Sequence, residues 1–403
     1  MNESDKYKEI DSLLGQLVKQ PTLKELFDNR VAELKMPPTT ALKVLGFGYT
    51  PLKRLLEGSE STVDIVKLFK LADFLQLPKE QIVKMYAESL ERSHYTISDI
   101  TSPDKVKFIK ENFDLAGLRK AGFINNISDF ANVESRIIQR LGLKSIFEYR
   151  KPAGDVAFSS AAFNPDHHQT RSIWLRQAMT CFEEINNPYP YHRAELIKIF
   201  PQIRWYSTDA ETGMLRIVRA LFRLGITVIF LPKLENLKVK GATLVINDKP
   251  CVVLTNWYDL YPSLWFTLLH ELYHVLFDLE DIGISKYHVT DDSNDQASVR
   301  QREALADNFS REYLLPNEKL NMIRSSLSDK AIVDHFAQQN HVHSSIVYAF
   351  HAFDRGKLDR KAWARTRQNS PPLSQSIVDI SFLWDDPRSI EEITKERKQK
   401  TYN

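Results

Sequence analysis

Apolar positions in residues 1–100 recur every three or four residues, as at Ile65, Leu68, Phe69, Ala72 and Leu75, a spacing that predicts helices. Turn signals interrupt them at Pro37–Pro38, Gly46-Phe47-Gly48, Gly58–Ser59 and Pro78. Asp114–Leu143 reads as helix and breaks at Pro152, Ala153 and Gly154; Ser159–His168 reads as loop. Ile173–Glu184, His192–Phe200 and Gly213–Leu224 follow as helices. The period then shortens. Ile226–Leu231, bounded by Gly225 and Pro232, is β-branched; Ala242–Asn247 alternates; Cys251–Thr255 follows the turn chemistry of Asn247-Asp248-Lys249-Pro250. These three runs predict a small, mainly antiparallel sheet. Helical spacing returns from Pro262 and ends in a charged stretch, Asp385–Asn403.

The pattern is α+β and divides the chain into a helical module at 1–100, a helical connector at 101–165, a mixed domain at 166–365 and a charged carboxy-terminal tail at 366–403. With 43% hydrophobic and 26% charged residues in 403, there is ample material for packed cores, which excludes wholesale disorder. The net charge of +2 argues against a surface that grips nucleic acid throughout. Cys181 and Cys251 lie far apart in apolar surroundings and read as buried, reduced thiols of a cytoplasmic protein. Met1–Asp11 lacks the pattern of a signal peptide, and no apolar run reaches the roughly 18 residues of a membrane span, so no membrane partner is expected.

The densest chemistry lies in Pro262–Phe277, which contains H-E-x-x-H at His270, Glu271 and His274. On a helix, residues four apart share a face, so the two imidazoles can hold one Zn²⁺ while Glu271 reaches its water as general base. Three fixed positions recur by chance, but Gln301–Ser310 supplies a second signal. Glu303 and Asp307 stand four apart on a following helix. A carboxylate there completes a three-ligand set with an open position, and Asp307 can orient His270 or His274.

Phe266-Thr-Leu-Leu-His-Glu-Leu-Tyr-His274 resembles the F-T-x-x-H-E-x-x-H of the ImmA/IrrE-type metallopeptidase family. Glu303-x-x-Ala306-Asp307-x-Phe309-Ser310 and Leu314-Leu315-Pro316 resemble its second motif. Gly225–Val228 and Val239–Ala242 resemble the strands before its active helix, and His343–Val347 its helical tail; the likeness runs over roughly residues 150–365. Two positions depart from the pattern: Tyr273 stands where many relatives have glycine, and Leu305 where many have a second acidic residue. The resemblance implies a zincin-like domain with Zn²⁺ on His270, His274 and Glu303, a gluzincin-like set. It implies hydrolysis with Glu271 as base and a repressor-like regulatory protein as substrate in a stress or mobile-element response. The extended substrate could pair with an edge of the sheet. His343 and Tyr348 are candidate oxyanion stabilisers.

Ala41–Gly58 has the layout of two helices around a tight turn, with Thr50 as N-cap and Pro51 at the first helical position of the second. It resembles the Cro/repressor-type helix-turn-helix, whose second helix enters the major groove. Tyr49, Thr50, Lys53 and Arg54 are then the candidate DNA contacts. Yet residues 1–100 hold 14 Lys+Arg against 15 Asp+Glu, little charge for phosphate binding. The module therefore serves DNA, a protein contact or a homodimer. The alternative to a peptidase is a DNA-binding regulator or antitoxin-like protein using the peptidase fold as sensor or scaffold.

Overall fold

A computed structural model of the chain describes residues 21–57, 59, 63–92, 102–152, 168–235, 237–291 and 297–402. Met1–Asp11, the stop at Gly58 and all but the last residue of the loop expected over 159–168 lie outside the described residues, and that last residue, His168, is helical. The chain is α+β and forms two compact units, Met1–Ser102 and Pro103–Asn403. Among the described residues, no helix is long and apolar enough to cross a membrane.

The first unit contains α1 (Leu23–Glu33), α2 (Pro38–Leu45), α3 (Tyr49–Leu56), α4 (Ile65–Leu75) and α5 (Lys79–Arg92). Each turns an apolar stripe inward, and Phe27, Leu45, Leu52, Leu55, Leu68, Leu71 and Ile82 make one core. Gly46 ends α2 in the left-handed region at φ 69°, where a glycine avoids the Cβ penalty. The next helix starts earlier than its sequence suggests. Gly48, extended at φ −77° and ψ 160°, is the N-cap of α3, and Leu52 N–H donates to its carbonyl. Thr50 is thus the second helical residue instead of the cap, and Pro51 the third, where a missing N–H still costs nothing.

The second unit is built on a four-stranded sheet among the described residues: β1 (Thr227–Phe230), β2 (Val239–Ile246), β3 (Lys249–Leu254) and β4 (Tyr287–Asp291), in the order β1-β3-β2-β4. Asn247 and Asp248, at φ 52° and 60°, make the two-residue hairpin turn between β2 and β3. The sheet is mixed. β2 is antiparallel to both β3 and β4, but β1 is parallel to β3. The segment after β1 passes over β3 to start β2, so the returning β3 runs in the direction of β1. Segment 380–382 adds to the free edge of β1, where Phe382 N–H donates to the Phe230 carbonyl at 2.8 Å.

Six further helices matter here: α6 (Phe130–Leu141), α7 (His168–Ile185), α8 (Gly213–Arg223), α9 (Tyr261–Phe277), α10 (Ala297–Leu314) and α11 (Ser344–Arg355). α9 packs on β2, β3 and α10, while α7 and α8 pack against β1. The helix expected over Asp114–Leu143 is interrupted, because the Asp129 side chain caps a new start by accepting from Asn132 N–H.

One apolar cluster runs from Ile109 to Tyr402, so the expected connector and tail share the core of the mixed domain. The stretch read as a charged tail packs Ile380, Phe382, Trp384, Ile390 and Ile393 inward. Wholly buried Arg140 of α6 donates to the carbonyls of Leu383 and Asp386, and Tyr402 Oη–H to that of Val228. Its charges occupy the outer faces, and composition alone hid the apolar ones. Cys181 and Cys251 are buried, free thiols.

Candidate metal centre

α9 begins at Tyr261 with Pro262 in its first turn, and its apolar flanks bury it against the sheet. The helical repeat then aims His270 and His274 the same way, with their Nε2 atoms 3.2 Å apart. Glu303, nearly two turns into α10, brings Oε2 to 3.2 Å from His270 Nε2 and Oε1 to 3.5 Å from His274 Nε2. Four-coordinate zinc with bonds of about 2.0–2.1 Å sets neighbouring ligand atoms about 3.3 Å apart. The three separations match that edge length, and among the described residues these three side chains form the group able to hold an ion.

The other ring nitrogens point the same way. Nδ1–H of His270 donates to Asp307 at 2.8 Å, and Nδ1–H of His274 to Asp278 at 2.7 Å. Once the Nε2 proton of His270 is lost, both bonds would leave the Nε2 lone pairs facing the shared point, the tautomer a metal requires. Asp307 therefore orients His270, and Asp278, four residues beyond His274, orients the second imidazole.

β4 supplies two residues that sequence reasoning missed. His288 Nε2–H donates to Glu303 Oε1 at 2.7 Å, and its ring lies 4.4 Å from that of His274. Two residues on, Thr290 donates to Glu271 Oε1 at 2.9 Å, while Thr243 of β2 donates to Oε2 at 2.8 Å. Each carboxylate thus has a strand residue that fixes it. The signal in the sequence was the short alternating run Tyr287-His-Val-Thr290.

Electrostatics follow the geometry. Burial disfavours charge on His270, but the hydrogen bonds it donates to Asp307 and Glu303 outweigh that and raise its pKa to about 10. Burial and the neighbouring His288 lower His274 to about 4. Glu303, which burial alone would raise, is held well below the usual carboxylate range by hydrogen bonds from His270 and His288. Burial raises Glu271 against the opposing pull of His270 and His288. The metal-free cluster therefore carries a proton on His270 at neutral pH. A metal ion taking Nε2 displaces that proton, so affinity climbs as pH rises between the two histidine values. Zinc competition titrations should give about a hundredfold tighter binding at about pH 8 than at about pH 6. A flat profile would mean that the ion binds without displacing it.

Glu271 is wholly buried, and a Cβ added at Gly241 would lie 2.5 Å from its Oε1 and 2.7 Å from Thr267 Cγ2. Only a glycine lets the β2 backbone pass this close. Gly241→Ala is expected to cost about 1–3 kcal/mol of stability, read from denaturant unfolding, because the carboxylate must move or the strand must. An unchanged midpoint would show the approach to be looser than this.

The chain matches no family model, no curated protein and no solved structure.

The remaining expected residues fall into place by packing. Tyr273 stacks on Phe277 and Phe309, with ring centroids 4.7 and 5.3 Å away, so it closes the α9–α10 interface. Leu305 is exposed on α10, off the face that carries Glu303. His343 caps α11 by accepting from Ser345 N–H, and Tyr348 is buried in the core; neither lines the cleft beside His270. In the first unit, Tyr49, Thr50, Lys53 and Arg54 are all exposed on α3. Tyr49 and Lys53 border a groove of about 570 Å³ whose lining is mostly apolar, from Phe27 and Val31 of α1 to Leu52 and Leu56 of α3, and which includes Asp28 and Glu57.

Proposed function

We propose that this chain is a zinc-dependent endopeptidase of the ImmA/IrrE type, zincin-like and fused to a helix-turn-helix-like module, and that it cleaves a repressor-like regulatory protein. The observation that carries the reading is the convergence of His270, His274 and Glu303 at tetrahedral spacing on helices beside an open cleft. Zinc held there would supply Lewis acidity to the scissile carbonyl and to the attacking water.

The chain's own residues do the rest. Asp307 and Asp278 hold the imidazoles in register, and His288 holds Glu303. Glu271, gripped by Thr243 and Thr290, takes a proton from water and returns it to the leaving amine; burial raises its pKa, which makes it the stronger base. β4 is an edge strand whose backbone can pair with an extended substrate. A cytoplasmic setting accords with the two free thiols.

The test is incubation of the purified chain with a repressor encoded beside its gene. Cleavage should require zinc, stop with chelator and resume on zinc addition. An intact repressor with zinc bound would remove that substrate assignment.

For the amino-terminal unit, the groove beside Tyr49 and Lys53 favours a protein contact over DNA, since its lining is mostly apolar and Asp28 and Glu57 offset most of the charge of Lys24, Lys35 and Lys53. Salt-dependent binding to the chain's own promoter, weakened by Lys53→Ala and Arg54→Ala, would reverse that preference and support the regulator reading.

A further inference from the structure

A cleft of about 360 Å³ opens beside the metal ligands, bordered by His270, Asp307 and Thr290. This volume lies within the roughly 300–1,000 Å³ of pockets that enclose small organic groups. Its lining carries charge as well as apolar surface. Lys240 of β2 and Arg311 of α10 are cationic, and the carboxylate of Asp307 already accepts from His270 at 2.8 Å. Phe266 and Phe350, edge-on at 6.1 Å and 86°, make an apolar wall.

The tip of Arg311 is fixed by three contacts. Its Cζ lies 4.8 Å from the centroid of the Phe350 ring, which sets the guanidinium against a wall of the cleft. Nε–H donates to Asn317 Oδ1 at 2.6 Å, and Nη2–H to Asp354 Oδ2 at 2.8 Å. The same Oδ2 accepts from Arg324 Nη2 at 2.5 Å. One carboxylate thus serves two guanidinium groups, and the trio keeps a surplus positive charge. Nη1 of Arg311 makes no hydrogen bond among the described residues and retains accessible surface. Its N–H groups are open to an acceptor. A carboxylate suits the planar fork of an arginine, and an apolar wall strengthens such a contact by lowering the local dielectric.

We propose that this cleft receives an acidic side chain of the polypeptide substrate, its carboxylate on Nη1 of Arg311 and its aliphatic stem against Phe350. Arg311 would then make the chain prefer a glutamate or aspartate close to the bond it cuts. The inference rests on the peptidase reading for the nature of the ligand, a polypeptide bound next to the metal centre.

The test uses the full-length, zinc-loaded chain and three small probes, with binding read by NMR titration and no turnover involved. Two are the N-acetyl amides of glutamate and glutamine, which differ in charge and hardly in shape. The third is N-acetyl-alanine, whose carboxylate is a chain terminus. The glutamate amide should bind about tenfold tighter than the glutamine amide, the worth of a hydrogen bond to a charged group. N-acetyl-alanine should bind no tighter than the glutamine amide. Arg311→Gln should erase the tenfold ratio. Arg311 also ties α10 to Asp354, so a second variant keeps the test open if that one fails to fold. Asp354→Asn leaves the guanidinium in place, removes its competing carboxylate and should raise the ratio about threefold. Equal binding of the two amides to the wild type would overturn the proposal. So would a ratio that survives Arg311→Gln, as a carboxylate seated on the zinc would give, or one that does not rise in Asp354→Asn. N-acetyl-alanine binding as tightly as the glutamate amide would overturn it too, in favour of a chain terminus. Glutamate-selective binding without proteolysis would keep the cleft and remove the peptidase reading; proteolysis with equal binding of the two amides would do the reverse.

Discussion

Glu271→Gln is expected to abolish peptide cleavage while leaving the zinc content at its wild-type level. The substitution keeps the volume of the side chain, so the close approach of Gly241 and the packing of α9 on β2 are undisturbed. The amide can still meet the hydroxyls of Thr243 and Thr290, which rotate to accept as readily as to donate. What it cannot do is take a proton. General-base catalysis contributes about 10²–10⁴-fold, so the residual rate should fall by that range. The measurement is the initial rate on a cleavable protein, paired with metal analysis of the same preparation. A variant that cleaves normally would show that the base is another group. A variant that loses its zinc would show that Glu271 acts on the metal site as a structural element.

The second large effect is predicted for Glu303→Ala. This carboxylate is the shared acceptor of His270 and His288, and it faces both imidazole Nε2 atoms. Its removal takes one of the three proposed ligands and the negative charge that would offset a metal ion. Loss of an outer hydrogen bond to a metal ligand weakens binding by about 10–100-fold, and loss of the ligand itself must exceed that. Glu303→Ala should therefore fall outside the range of zinc competition altogether. His288→Ala, which frees Glu303 without deleting it, should fall within the 10–100-fold band. Leu305→Ala, on the exposed side of α10, should bind zinc as the wild type does. A series in which Leu305→Ala weakens binding as much as His288→Ala would mean that α10 is rotated so that Leu305 faces the site.

The parts of the fold visible in the sequence are those whose signal is local. The spacing of His270 and His274, the turn at Asn247–Asp248 and the apolar runs of β1 to β3 each depend on residues within a few positions of one another. So did the pairing of Glu303 with Asp307 on one helical face. The parts that escaped depend on who meets whom across the chain. The parallel pairing of β1 with β3 follows from strand order, which periodicity does not encode. β4 is five residues long and lies between two helices, so its alternation had little room to register. With it went His288 and Thr290. Asp278 was within reach of the same spacing argument as the histidines, since it stands four residues after His274. The carboxy-terminal segment was concealed by its charge, which sits on outer faces around a small set of buried aromatic and aliphatic side chains. The helix start at Tyr49 was missed because Thr50-Pro51 is a strong local capping signal, and Gly48 overrides it with its extended backbone.

The proposed chemistry requires that His270, His274 and Glu303 hold one metal ion. Its most direct test is the metal content of the purified full-length chain, by elemental analysis after dialysis, set beside that of His270→Ala and Glu303→Ala. About one zinc per chain is expected in the wild type, in keeping with a three-ligand site, and none in either variant. Zinc retained by Glu303→Ala, or a wild-type chain that holds none when refilled, would contradict it.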